Sequence, residues 1–161
     1  MDAQATVTRW VRHHRLHARC PVLLLPAVSS YAEVRFAPFS PALQGFAYAN
    51  EAGRMVAINA ALSLAEQRMV LAHEVAHLLC GDPNSLDLCQ DQDDWLYQRY
   101  ECEAQRHAAY ILIPDQPLLR LLDAHCDQAQ LAAFFVVPPS LINLRLLALN
   151  DPLRGLGGVC H

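Results

Sequence analysis

The chain has 161 residues, 53% of them apolar, enough for one domain with its own core. Sixteen acidic against twelve basic residues give a formal charge of −4, which excludes bulk attraction to a polyanion. Six cysteines (Cys20, Cys80, Cys89, Cys102, Cys126, Cys160) contain no CxxC pair, so a four-cysteine structural zinc site is excluded too.

The N-terminus is polar and runs into an Arg/His-rich stretch rather than an apolar leader, and no apolar run is long enough to span a bilayer. These features predict a cytoplasmic chain, no membrane partner and reduced thiols. Val7 to Ala18 reads as a helix within an N-terminal segment 1–19, with Val7, Trp10 and Val11 inward and Arg9, Arg12, His13, Arg15 and Arg19 in solvent.

Between residues 20 and 62 the pattern changes to short apolar runs broken by proline and glycine. Val22–Leu25, Ala32–Phe36, Gly45–Tyr48 and Met55–Ile58 are expected strands of a small antiparallel sheet. The last two flank Asn50-Glu51-Ala52-Gly53 and should form a hairpin. Ser63-Leu64-Ala65-Glu66 has the form of a capping box, starting a helix that Gly81 and Pro83 stop after Cys80. An acidic loop (Asp82, Asp87, Asp91, Asp93, Asp94) follows, read as solvated, and then a helix from about Asp93-Asp94 to Ile113, closed by Pro114. Residues 115–150 read as short helices, of which Gln128–Phe135 and Leu141–Leu149 could make a helix-turn-helix-like pair around Val137-Pro138-Pro139-Ser140. From Gln128 onward only Arg145 and Arg154 give positive charge, too little for a nucleic-acid surface, so direct nucleic-acid binding is not expected. The Gly-rich tail 151–161 is expected to be flexible. The whole reads as one α+β domain over 1–150, mainly helical.

The chemistry lies in His73-Glu74-Val75-Ala76-His77. Histidines at i and i+4 share a helical face and can reach one Zn²⁺, while Glu74, about 100° further round, is placed to act as general base on a water beside it. Two histidines and a glutamate in a strongly apolar helix would be costly unless a metal pairs them.

The third ligand must come from elsewhere. The metzincin pattern is absent, since Cys80 and Pro83 stand where glycine and histidine are required. Glu101, ahead of Glu103 on spacing, is the better choice, because Gln105, Ala108, Ala109 and Leu112 continue its side of the second helix. On that side Gln105 could orient a ligand histidine. Cys80 and His107 are rivals. Tyr97, Tyr100, Tyr110 and Arg106 are candidate oxyanion donors, and the Met55–Ile58 hairpin offers an edge for an extended substrate.

Residues 71–79, Leu-Ala-His-Glu-Val-Ala-His-Leu-Leu, and residues 101–114, Glu-Cys-Glu-Ala-Gln-Arg-His-Ala-Ala-Tyr-Ile-Leu-Ile-Pro, resemble the paired motifs of the ImmA/IrrE metallopeptidases. Their second helix has the form E-x-E-A-N-x-F-A-x-x-L-L-M-P. Val56-Ala57-Ile58-Asn59 and residues 131–138 extend the likeness to roughly residues 20–150. Gln105, His107 and Ile113 depart from the usual Asn, aromatic and Met. The resemblance implies a zincin-like core, zinc on His73, His77 and Glu101, and Glu74 as catalytic base; the sequence does not distinguish zinc from manganese as the ion used in the cell. It implies an endopeptidase that cleaves helix-turn-helix repressors in stress responses or mobile elements. The competing reading is a non-catalytic zinc-containing regulator that binds a repressor or DNA.

Overall fold

The computed structural model describes residues 2–82 and 94–150. Helix α1 (Ala3–His13) is capped by the Asp2 carboxylate and buries Val7, Trp10 and Val11. It ends earlier than the apolar spacing predicts, because Arg15 turns left-handed (φ 50°) and a single 3₁₀ turn, Leu16–Ala18, follows. The expected strand at Val22–Leu25 is instead the start of a helix, α2 (Leu24–Ser29). Leu24, Ala27 and Val28 are its buried residues, at i, i+3 and i+4, a helical rather than an alternating pattern. Pro26 falls in its first turn, where no amide donor is needed.

Three strands follow, β1 (Glu33–Ala37), β2 (Gly45–Asn50) and β3 (Gly53–Asn59), in the order β1-β3-β2. The β2–β3 hairpin forms as expected, with Asn50 opposite Gly53 and the Asn50 side chain accepting the Ala52 and Gly53 amides at 2.9 and 3.1 Å. The sheet is mixed, not wholly antiparallel, since β1 runs parallel to β3, Val34 beside Val56 and Phe36 beside Ile58. Met55–Ile58 therefore lies in the central strand and has no edge to offer; β2 is the outer strand on that side. Asn59, 2% exposed, holds the β1–β2 connection: its amide donates to Leu43 O (2.9 Å) and Ser40 O (3.3 Å) and accepts from Phe39 N (3.3 Å).

Helix α3 (Leu64–Cys80) opens on the Ser63/Glu66 capping box, with both reciprocal bonds present, and closes on Gly81 in the left-handed region (φ 72°). It packs against β2, β3 and α4 (Asp94–Leu112). Ala72 and Ala76 on α3 and Ala104 and Ala108 on α4 are all buried, so small side chains allow the two backbones a close approach. Helices α5 (Asp115–Asp123), α6 (Gln128–Phe135) and α7 (Pro139–Asn150) complete the described fold. Leu131, Phe135, Leu141 and Ile142 join the main core, and Arg68 of α3 donates to Val136 O and Val22 O, both at 3.0 Å, tying α6 and the N-terminal segment to the metal-motif helix.

The α6–α7 pair thus packs on the core. Arg145, one of its two expected surface cations, is buried against Asp115 and Ile113 O. Among the described residues, no single helix is long and apolar enough to cross a membrane. Among the described residues Cys20, Cys80 and Cys126 are free thiols. The acidic loop beyond Asp82 and the tail 151–161 lie outside the described residues.

Candidate metal centre

Helical spacing sets His73 and His77 on one side of α3, and the close α3–α4 packing brings Glu101 to them. His73 Nε2 lies 3.1 Å from His77 Nε2 and 3.1 Å from Glu101 Oε2, and His77 Nε2 lies 3.4 Å from Glu101 Oε1. The three donor atoms fall within 4.8 Å of one another, a group able to hold a metal ion. Two imidazole nitrogens and a carboxylate oxygen are a donor set that suits a borderline divalent cation such as zinc and leaves a coordination position for solvent or substrate.

The electrostatics follow from this crowding. Burial alone would lower the pKa of His77, but hydrogen bonds to Asp82 and Glu101 outweigh it and raise the value to about 9. Burial would raise the Glu101 carboxyl, but hydrogen bonds and charge from His73 and His77 hold it well below the usual carboxylate range. Glu74, 7% exposed, is pushed up mainly by burial, against the opposing pull of His73, His77 and the backbone amide of Ala47.

Asp82 is the group that the sequence reading passed over. Gly81 and Asp82 both donate their amides to His77 O (3.0 and 3.1 Å), and this left-handed turn brings Asp82 Oδ2 to 2.9 Å from His77 Nδ1. A carboxylate on the far nitrogen of a ligand histidine fixes its tautomer and ring orientation. That is the role the sequence suggested for Gln105, which the fold instead places on an exposed part of α4. The signal available was a glycine C-cap that folds the next residue back on the last turn; the acidic run around Asp82 hid it.

The rival ligands lie elsewhere. His107 is buried, its pKa lowered by burial, and its Nδ1 faces Cys80 Sγ at 3.6 Å. Burial, reinforced by Asp82 and Glu103, pushes the Cys80 thiol up to about 12, so it is a neutral thiol beside an imidazole. Glu103 pairs with Arg99 at 3.1 Å on the outer side of α4. Tyr110 is engaged at the other end of α4, its carbonyl 3.1 Å from His17 Nε2 and its ring beneath Arg145.

The family model of the IrrE N-terminal-like domain, Peptidase_M78, matches residues 31–147. The chain belongs to this family. The match runs from the entry to β1 through most of α7 and so takes in the strands, the α3–α4 pair and the C-terminal helices, leaving α1 and α2 outside. No curated protein gives a significant match. As a Peptidase_M78 member the chain is of a metallopeptidase type, and among the described residues His73, His77 and Glu101 form a group able to hold a metal ion.

Proposed function

We propose that this protein is a cytoplasmic zinc-dependent endopeptidase acting on a helix-turn-helix repressor, whose cleavage relieves repression in a stress response or a mobile element. The observation that carries the peptidase reading is the convergence of His73, His77 and Glu101 beside a buried Glu74. His73, His77 and Glu101 would hold the zinc ion. Bound there, it would supply a Lewis acid that polarises a peptide carbonyl and makes water a nucleophile near neutral pH. Glu74 takes the proton of the attacking water and passes it to the leaving amine; its raised pKa suits a group that must hold a proton between the two transfers. Asp82 keeps His77 oriented, with Nε2 facing the other two donors.

The outer strand β2, next to Glu74, suits an extended peptide added along its edge, which requires the repressor to offer an unfolded or looped segment. Tyr97, one turn before Glu101 on the same face of α4, is better placed than Tyr110 to donate to an oxyanion. A non-catalytic regulator has no use for a buried glutamate beside three metal donors.

The test combines zinc content with cleavage of the repressor encoded beside the gene. Stoichiometric zinc, cleavage by the wild type and loss of cleavage with zinc retained in Glu74→Gln are the expected results. Undiminished cleavage by Glu74→Gln would sink the mechanism, and bound repressor without cleavage would favour the regulator.

A further inference from the structure

Glycine is a weak strand residue, because it packs nothing and loses the most backbone freedom on folding. Gly45 nevertheless opens β2, and its backbone is not in the left-handed region that would call for glycine. The constraint on it is space. A Cβ at this position would lie 2.5 Å from Val70 Cγ1 and 2.8 Å from Ala57 O, with Glu74 Cγ at 3.8 Å. Ala57 O is backbone of β3 and cannot swing aside, while Val70 is on α3 one turn before Glu74, so the start of β2 is wedged between helix and strand. Two residues on, Ala47 is 5% exposed, and its backbone amide lies near enough to the Glu74 carboxylate to favour the charged form.

We propose that Gly45 is a positioning residue for Glu74: its missing side chain lets β2 lie close enough to α3 for the Ala47 amide to hold the glutamate beside the metal donors. This rests on the reading of Glu74 as the general base. The ligands themselves come from α3 and α4, so Gly45 acts on the base and the adjoining outer strand without touching the metal set. Any side chain at 45 must push β2 away from either α3 or β3, and the Ala47–Glu74 contact is the first to open.

The experiment compares Gly45→Ala, Val70→Ala and the double variant, in which the side-chain atoms struck by the new Cβ are removed. Zinc affinity is read by chelator competition, the Ala47 amide by NMR hydrogen exchange, and kcat and KM on a peptide that the wild type cleaves. Gly45→Ala should bind zinc as the wild type does, while Ala47 protection and kcat each fall about tenfold or more and KM moves less. The double variant should recover part of both losses. Unchanged Ala47 protection and kcat in Gly45→Ala overturns the proposal. A fall in zinc affinity matching the fall in kcat also overturns it, because Gly45 would then merely support the helix pair. If Gly45→Ala does not fold, a double variant that folds without regaining Ala47 protection overturns it equally. Should the wild type bind zinc and cleave nothing, the peptidase reading fails on its own, and the Ala47 amide still decides whether Gly45 seats Glu74.

Discussion

The two ends of α4 gather similar side chains and build different things. Near its middle, Glu101 meets His73 and His77; about 13 Å further along the helix, the Tyr110 end meets His17, with Asp115, Cys20 and Arg120 close by. The second region even encloses a cavity of about 370 Å³. Yet its polar groups are satisfied in pairs: His17 Nε2–H donates to Tyr110 O, and Asp115 accepts from Arg145. Burial lowers the His17 pKa, against the backbone bonds that favour its charged form, so it is a neutral ring holding a carbonyl. At the first site one carboxylate faces both imidazoles, so three donor atoms converge on one spot. A histidine and a carboxylate in a hollow do not make a metal centre; three donors converging on one point can.

Substitutions at the two ends should separate them. Glu74→Gln has the largest expected effect, a fall in turnover of about 10²–10⁴-fold with the metal retained, measured by peptide hydrolysis and metal content. Asp82→Ala should weaken metal binding by about 10–100-fold in a competition titration, whereas Asp82→Asn, which keeps an acceptor for His77 Nδ1, should lose less.

Proton competition comes next. Metal binding requires neutral His77, whose pKa in the metal-free protein is raised to about 9, so affinity should fall by about tenfold per pH unit below that value. The sign for folding is the reverse. Because the folded pKa lies above the ordinary 6.5, the stability that His77 adds to the metal-free protein is complete below 6.5 and lost as pH rises through 9. A metal-free melting temperature that rises across that window would contradict it. Smallest is His17→Ala, expected to cost about 1 kcal/mol of stability for its lost hydrogen bond and to leave metal affinity unchanged. A drop in metal affinity there would erase the contrast between the two ends.

Much of the site was legible because it is helical and short in range. The i, i+4 histidines, the Ser63/Glu66 box and the Gly81 stop define α3, and the alanine run after Glu101 marks the face of α4 that can approach it. What was misread turned on how a short segment sits against the rest of the fold. Residues 22–25 look like a strand until the core shows that Leu24, Ala27 and Val28 point one way. Asp82 looks solvated until the turn at Gly81 folds it onto His77.

By itself the sequence determined that α3 and α4 form, where α3 begins and ends, and which three side chains could share a metal, since periodicity and capping are properties of neighbours along the chain. Only the tertiary structure decided that β1 lies parallel to β3, that β2 rather than β3 borders Glu74, and that Asp82 rather than Gln105 holds His77. The strand outcomes turn on how closely separate segments can pack and the Asp82 outcome on the turn at Gly81, and at Gly45 the space between strand and helix leaves no room for a single further carbon atom.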